Sequence, residues 1–261
     1  MQRSYQSASE MVNSAHPDRL ADLLASIVIN DIQHKDREKS HAAVEVFITH
    51  DKVIFSGEVK TTLIINDDYL RHVVEQGYAR AGYLPKMREF WTTDEVMLAS
   101  DMKIENSIQL QSPDIALGTT DKGEDTGWND QNISFSSSEG TNASHLGFPM
   151  MIATEINEML AALSFESITK GLPRVYGPDI KVVVTVKTIE DGFDPVEITG
   201  ITIAIPHTSK QDIEDVRSDI KSAVESFIEC RQSLWSCPIA KDCKWVINGT
   251  GRFVVHGNLG D

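Results

Sequence analysis

Apolar residues follow one order of patterns twice along the chain: a helix, a hairpin, a second helix and a strand. Helical spacing and strand alternation distinguish these elements. The first set is a helix at 17–33, hairpin strands at 43–50 and 53–65, a helix at 67–81 and a strand at 95–104. The second set is a helix at 149–168, strands at 180–188 and 196–205 around a turn at 191–195, a helix at 211–229 and strand-like pieces at 244–247 and 252–255. The repeated order predicts an α+β protein with pseudo-symmetric repeated domains, each a mixed β-sheet covered by helices on one face.

Size and charge narrow the class of protein further. The 261 residues, 41% of them hydrophobic, suffice for two domains with their own cores. Asp and Glu number 39 against 24 Lys and Arg, and this formal net charge of −15 argues against nonspecific binding to nucleic acid or anionic membrane. There is no apolar run near the roughly 20 residues of a membrane span and no signal-peptide pattern. We expect a cytoplasmic protein whose three cysteines, Cys230, Cys237 and Cys243, are reduced thiols.

The segment 111–127, between the two sets, is rich in Ser, Pro, Asp, Gly and Thr and has no apolar period. Loops of this length inside compact proteins often act as lids or binding segments, although a plain linker is the alternative. The residues alone leave both interpretations open.

The start of the first predicted helix carries His16, Pro17 and Asp18. Free amides and the positive end of the helix dipole favour a phosphate there, and His16 can donate a hydrogen bond to it. The alternative is an exposed cap at His16 with Asp18 as an ordinary first-turn acid. The sequence has no P-loop, dinucleotide fingerprint, paired-histidine zinc helix or nucleophile elbow, which disfavours the standard nucleotide scaffolds.

Five polar segments together resemble the signature segments of the methionine adenosyltransferase family. They are His16-Pro17-Asp18, Ser56-Gly57-Glu58, Gln111-Ser112-Pro113-Asp114, Gly127-Trp128-Asn129-Asp130 and Thr250-Gly251-Arg252-Phe253, followed by the end of the chain to Asp261. Their order and separations are similar to those of the family. The resemblance implies an S-adenosylmethionine synthetase-like fold with an N-terminal domain at 1–115, a mobile loop at 116–127, a central domain at 128–256 and the start of a C-terminal domain at 257–261.

The same resemblance implies roles for acidic and amide side chains. Asp18 matches a magnesium ligand, and the family uses two Mg²⁺ ions per site. Glu45 matches a carboxylate that binds a monovalent cation, usually K⁺, and Glu10 falls where the family has an active-site glutamate. Three residues match those that bind methionine by its amino and carboxylate groups: Glu58, Gln111 and Asp130.

Further residues match the family's ATP site. His16 matches the histidine at the C5′ oxygen and its phosphate, and Lys181 matches a lysine on the phosphate chain; these two are the implied catalytic residues. Asp179 falls near the ribose and Phe253 on the adenine. Asp261 matches another aspartate of the magnesium or substrate site.

The family joins L-methionine to the adenosyl group of ATP, forming S-adenosylmethionine and releasing pyrophosphate and phosphate. The resemblance therefore implies a transferase with Mg²⁺ and K⁺ as cofactors, and a homodimer or dimer of dimers with its sites at the subunit interface. It implies neither a nucleic-acid nor a membrane partner.

Several positions depart from the family pattern. Arg19, Ala15 and Leu110 stand where the family usually has lysine, glycine and lysine. The family also continues past the equivalent of Asp261 into basic segments that bind the triphosphate. We expect the 261 residues alone to form S-adenosylmethionine at a very low rate, because several charge contacts to the leaving group lie in that continuation. The alternative function is a noncatalytic regulatory or partial subunit of such an enzyme.

Overall fold

A computed structural model describes residues 4–37, 40–112, 114, 133–138, 142, 144–189 and 195–260. In chain order the first elements are β1 (Ser4–Val12), α1 (Pro17–Asp36), β2 (His41–Ile48), β3 (Lys52–Lys60), α2 (Asp67–Ala81) and β4 (Lys103–Leu110). They are followed by α3 (Phe148–Lys170), β5 (Lys181–Ile189), β6 (Pro195–Ala204), α4 (Ile213–Trp235) and β7 (Ile239–Ile247). Short turns of 3₁₀ helix lie at Pro85–Glu89, Ala99–Asp101 and Gly257–Leu259.

Contacts between residues divide the chain into two compact units. One unit consists of Met1–His16, Leu84–Val96 and Ser137–Asp261, and the other of Pro17–Tyr83 and Met97–Ser136. They are called here the β5 unit and the β3 unit, after the central hairpin strand of each. Strand β1 belongs to the β5 unit because it pairs with β5 in an antiparallel register.

The β3 unit contains a three-stranded sheet in the order β2-β3-β4. Strands β2 and β3 form an antiparallel hairpin, and β4 pairs with β3 in parallel. One face of the sheet is apolar, with Val53, Phe55 and Val59 of β3 buried. Helices α1 and α2 pack closely, since a β-carbon on Gly77 of α2 would lie 2.3 Å from the Leu24 side chain of α1. The opposite face of the sheet is largely exposed.

The β5 unit contains a four-stranded sheet in the order β1-β5-β6-β7. Strands β5 and β6 are antiparallel, and β7 pairs with β6 in parallel, as β4 does with β3 in the other unit. Alternate residues of β5, including Val182, Val184 and Val186, are buried in a core shared with helices α3 and α4. Both units therefore have the predicted order of helix, hairpin, helix and strand, which confirms the α+β fold class and the repeat, and in both the last strand is parallel to its neighbour.

Capping residues account for the helix ends that the structure shows. The side chain of Asn66 accepts a hydrogen bond from the amide of Tyr69 at the start of α2, and Gly82 ends this helix in a left-handed conformation (φ 99°). Asp212 caps α4 in the same way by accepting from the amide of Glu214. These caps explain why α2 begins and ends at its predicted residues and why α4 begins near its predicted start, although α4 continues to Trp235, beyond the predicted end at 229.

Two predicted strands were wrong. The segment 95–104 has no strand before Lys103; its apolar residues Val96, Leu98 and Met102 are instead buried around a turn of 3₁₀ helix, and the strand that pairs with β3 is the more polar Lys103–Leu110. The segment 252–255 is not a strand, because Phe253 bonds to His207, beyond the end of β6, and the segment joins no ladder. The predicted turn at 191–195 lies almost wholly outside the described residues.

Candidate active site

The pairing of β1 with β5 brings two separate motifs of the sequence together. Val12 lies opposite Lys181 at the end of this strand pairing. The turn at residues 13–16, which leads into α1, therefore lies next to the segment that leads into β5. Asn13 connects the two segments, because its side-chain amide donates a hydrogen bond to Pro178 O and its side-chain oxygen accepts one from the amide of Ile180. The amide of His16 in turn donates to Asn13 O over 3.1 Å. The backbone of His16, the predicted phosphate-binding residue, is thereby connected through Asn13 to the segment that contains Asp179.

Glu10 and Lys181 form an ion pair across these two strands. Lys181 Nζ lies 3.3 Å from Glu10 Oε1, and the side chains are 41% and 52% exposed. An ion pair this accessible to solvent contributes little to stability. Lys181 therefore has a partly exposed cationic head whose partner is Glu10.

Asp179 is mostly buried just before β5. It is 7% exposed, and its Oδ2 accepts a hydrogen bond of 2.9 Å from the amide of Gly257. This bond connects the entry to β5 with the turn that follows Phe253. A carboxylate oriented by a backbone amide is suited to accepting a hydrogen bond from a ligand hydroxyl.

Phe253 is held at its backbone and is only partly buried. Its carbonyl accepts from the amide of His207 over 2.9 Å, and its own amide donates to His207 Nε2 over 3.3 Å. The residue is only partly buried, whereas Val254 beside it is 2% exposed. Its ring centroid lies 6.4 Å from that of His256. Phe253 is therefore a fixed aromatic side chain rather than a core residue.

Two buried histidines, His207 and His256, surround Phe253 and were not predicted as site residues. Burial lowers the pKa of both imidazoles, for His256 to about 4, so the rings are neutral at neutral pH. Arg252 also lowers the pKa of His207, whereas Val254 O and Glu95 act in the opposite direction on His256. A single histidine carries no periodic signal, so neither residue could be selected from the sequence.

The buried histidine makes the unfolding free energy depend on pH. Unfolded His256 takes up a proton below its ordinary pKa of 6.5, but the folded ring resists protonation until about pH 4. Its contribution is therefore complete above pH 6.5 and is lost as the pH falls toward 4, by up to about 3 kcal/mol. We expect urea unfolding to show this loss in the wild-type chain and a smaller one in His256→Asn. Equal pH dependence in both proteins would contradict the assignment.

The β3 unit carries a second group of predicted site residues. Glu45 on β2 lies opposite Ser56, and Glu58 on β3 lies opposite Ala43, so both carboxylates are on the exposed face of the sheet. Residues in this diagonal relation are roughly 7–8 Å apart. Gln111 follows β4 directly, and its amide donates to Val59 O over 2.9 Å, which places it beside Glu58. Its side-chain oxygen is buried without a hydrogen-bond partner among the described residues.

Asp18 lies exposed in the first turn of α1, while Asp130 and Asp261 lie outside the described residues. Across the described part of the chain, no group of three or more His, Cys, Asp or Glu side chains is placed to hold a metal ion. This arrangement still fits Mg²⁺, which usually takes one or two carboxylates and completes its shell with water and substrate phosphates. The exposed carboxylate of Glu45 is an oxygen ligand of the kind that K⁺ accepts.

Two further observations concern the environment of the chain. None of the helices in the described segments is long and apolar enough to cross a bilayer. Cys230, Cys237 and Cys243 are all unpaired, and burial raises the pKa of the Cys237 thiol to about 12, which makes it unreactive.

Comparison with known proteins assigns both halves of the chain to one family. Residues 4–113 match the model of the S-adenosylmethionine synthetase N-terminal domain, and residues 125–253 match that of the central domain. The S-adenosylmethionine synthase of Acholeplasma laidlawii is 31% identical over 99% of this chain, and that of Bradyrhizobium sp. strain BTAi1 is 30% identical over all of it. The chain spans 62% and 63% of the lengths of these two relatives.

A solved structure supports the same fold. An unusual S-adenosylmethionine synthetase from Campylobacter jejuni superposes with a TM-score of 0.80 and 23% identity, covering 98% of this chain and 61% of that one. The helix, hairpin, helix and parallel strand order seen twice here therefore occurs in a protein of that description. On these matches, the chain belongs to the S-adenosylmethionine synthetase family, of which it carries the N-terminal and central domains.

Proposed function

We propose that the chain takes part in methionine adenosyltransferase catalysis, binding ATP and L-methionine for the formation of S-adenosylmethionine. One observation carries the proposal: in a member of this family, Asp179, Lys181 and Phe253 are linked in one unit next to the turn that ends at His16. These side chains offer a carboxylate, a cation and an aromatic ring. That set suits the ribose, the phosphates and the base of ATP.

The residues proposed to bind ATP contact different parts of the nucleotide. The ring of Phe253 stacks on adenine, and the carboxylate of Asp179 accepts from a ribose hydroxyl. Lys181 exchanges its pairing with Glu10 for a phosphate oxygen. Glu10 then remains as an acid at the edge of the site, where it orients the lysine when no nucleotide is present.

The proposed methionine-binding residues Glu58 and Gln111 lie in the β3 unit. The carboxylate of Glu58 faces the exposed side of the sheet and pairs with the ammonium of methionine, with Gln111 and Asp130 completing the site. The unpartnered oxygen of Gln111 is an acceptor for the same ammonium. Glu45, on the same sheet face, supplies an oxygen ligand to K⁺.

The reaction is an in-line displacement at carbon. A lone pair of the methionine sulfur forms a bond to C5′ of ATP, while the bond from C5′ to the triphosphate oxygen breaks and the triphosphate departs with the electron pair. The sulfur carries no proton, so no general base is required. His16 donates a hydrogen bond to the departing oxygen, and Lys181 offsets phosphate charge. Water then cleaves the triphosphate into pyrophosphate and phosphate.

Magnesium, when bound with the nucleotide, neutralises phosphate charge, and we propose Asp18 as its protein ligand. Asp18→Asn is expected to reduce by about tenfold the gain in ATP affinity that Mg²⁺ produces, because a neutral amide is a poor ligand for this ion. Calorimetric titration of ATP with and without Mg²⁺ measures this gain and tests the proposed function. Asp22→Asn is the matched control, since Asp22 is an exposed acid on the same helix. An unchanged gain in Asp18→Asn would remove Asp18 from the metal site.

We also propose a homodimer or dimer of dimers, formed through the exposed face of the β2-β3-β4 sheet. Phe47 on β2 is 65% exposed on the same face as Glu45, and Ile54 lies opposite it on β3. Apolar side chains on a sheet face are typical of an interface. Sedimentation at micromolar concentration is expected to show a dimer for the wild type and a monomer for Phe47→Glu. Phe165→Glu, a change at a 54% exposed position on α3, serves as the control and should stay dimeric.

The second candidate function is a noncatalytic regulatory or partial subunit of such an enzyme. The formal net charge of −15 favours it, because this charge opposes the binding of a polyanionic nucleotide. ATP affinity separates the two candidates, since a subunit without a nucleotide role should not bind ATP through Lys181. A cytoplasmic location is proposed for both, supported by the unpaired cysteines.

A further inference from the structure

The segment 253–257 is fixed in place by two buried histidines that the proposed chemistry does not use. It contains Phe253 at one end and Gly257, the partner of Asp179, at the other. His207 contacts the first end and His256 lies within the second. Both imidazoles are almost fully buried, at 3% and 0% exposure.

His207 binds the backbone of Phe253 twice. Its Nδ1 lies 3.0 Å from Thr208 O, and a carbonyl can only accept, so this nitrogen carries the proton. Nε2 therefore presents a lone pair, which accepts the amide hydrogen of Phe253. The amide of His207 completes the pair of bonds by donating to Phe253 O. The neutral Nδ1–H tautomer is the form that satisfies all of these groups.

His256 fixes the other end from inside the segment. Its Nδ1 lies 2.8 Å from Val254 O, and its amide donates to Glu95 O over 3.0 Å. The ring packs edge to face against Trp91, with centroids 5.2 Å apart. It also fills the space above Gly177, where a β-carbon would lie 2.8 Å from Nε2. This nitrogen has no hydrogen-bond partner among the described residues.

Trp91 connects the two histidines, because its indole N–H donates to His207 O over 3.3 Å while its ring contacts His256. A core that served stability alone would be better filled by apolar side chains, since burying an imidazole with an unsatisfied nitrogen is unfavourable. What the two polar rings provide is a fixed geometry for the backbone of Phe253 and for the amide that orients Asp179.

We propose that His207 and His256 are positioning residues for the nucleoside subsite formed by Phe253 and Asp179. The inference rests on the proposed function, because it assigns that subsite to adenosine. The histidines touch no ligand themselves. They act by holding segment 253–257 so that the aromatic ring and the carboxylate are preorganised for the base and the ribose.

The charge state of His207 gives this proposal a distinctive pH dependence. A proton on Nε2 would place a donor against the amide donor of Phe253, so adenosine affinity should fall as His207 becomes protonated. The charged groups that influence the two rings are Arg252, which opposes protonation of His207, and Glu95, which favours that of His256. Asp179 adds a carboxylate bonded to the next residue, Gly257.

The experiment compares amide and leucine replacements in the 261-residue chain, with adenosine as the probe. His207→Gln keeps a hydrogen-bond acceptor in place of Nε2, and His256→Asn keeps a hydrogen-bond donor in place of Nδ1–H. The corresponding leucine variants, His207→Leu and His256→Leu, remove these hydrogen-bonding groups. Val255→Ala is the control, because Val255 lies in the same segment and is 41% exposed. Calorimetry gives the adenosine affinity, and hydrogen exchange gives the protection of the Phe253 and Gly257 amides without any ligand.

Each leucine variant is expected to weaken adenosine binding about tenfold or more and to speed exchange of the two amides by a similar factor. The amide variants and Val255→Ala should stay close to wild type, and His207→Gln should lose the pH dependence. If a leucine variant does not fold, the amide variants decide, since a tenfold loss in both would overturn the proposal. Wild-type binding that survives in both folded leucine variants would overturn it as well. A wild-type chain that does not bind adenosine would instead contradict the proposed function, and with it the nucleoside role, whether or not exchange changes.

Discussion

Replacing Gly57 by alanine is expected to unfold the β3 unit or to destabilise it by about 3–5 kcal/mol. Gly57 has a φ of 136°, a conformation that side chains rarely adopt, and a β-carbon there would lie 1.9 Å from Ala43 O on the neighbouring strand. The obstacle is backbone rather than a movable side chain. Relief would require separating β2 from β3, and this would also displace Glu58 from its place opposite Ala43.

Gly251→Ala provides the matched control for this change. Gly251 also has a positive φ, 83°, but nothing lies within 4 Å of its added β-carbon. Only the conformational cost remains, and it is about 1 kcal/mol. Urea unfolding of both variants measures the difference. Similar losses in the two proteins would show that the close approach of β2 to Gly57 is not what requires glycine.

Replacing Lys181 by methionine is expected to weaken ATP binding by about ten- to a hundredfold while leaving stability nearly unchanged. A charge-assisted contact to phosphate contributes about 1.5–3 kcal/mol, which corresponds to that loss of affinity. The existing pair with Glu10 is exposed and contributes little to folding. Binding and stability should therefore separate in this variant.

The control for Lys181→Met is Lys187→Met on the same strand. Lys187 pairs with Glu197 over 3.0 Å with a side-chain exposure of 39%, close to the 41% of Lys181. It differs only in its distance along β5 from Asp179. Calorimetric titration with ATP should show that only Lys181→Met loses ATP affinity. Titration with adenosine should show that neither variant loses adenosine affinity. Equal ATP affinity in both would remove Lys181 from the phosphate site.

Most helices and hairpins of this fold could be predicted from local apolar patterns. Helix α3 and the strands β5 and β6 were predicted to within two residues, because each buries a face against the core of its own unit. Local periodicity is sufficient in such cases, since the pattern and the burial have the same cause.

Strands formed by distant pairing could not be predicted in this way. Strand β1 is mostly exposed and mainly polar, and its partner β5 lies more than 150 residues further along the chain. Strand β4 is similarly polar because one face of its sheet is open, and the apolar run before it was mistaken for the strand. The backbone hydrogen bonds of these strands are made to partner strands that the local sequence does not reveal.

The candidate site shows the same difference between what local sequence predicts and what the fold supplies. The family resemblance predicts roles for Asp179, Lys181 and Phe253, but the hydrogen bonds around them involve Asn13, His207 and Gly257. The roles of all these residues remain predictions, and Asp130 and Asp261 also lie outside the described residues. A single buried histidine has no signature in sequence, because its importance comes from neighbours that the fold supplies.

Phe253, Asp179 and Lys181 are proposed to form one nucleotide site. A crystal structure of the chain with Mg²⁺ and a nonhydrolysable ATP analogue tests this most directly. We expect adenine stacked on Phe253, a ribose hydroxyl about 3 Å from the Asp179 carboxylate, and a phosphate oxygen replacing Glu10 at Lys181. A nucleotide bound elsewhere, or bound here with Lys181 still paired to Glu10 and Phe253 out of contact with the base, would contradict it.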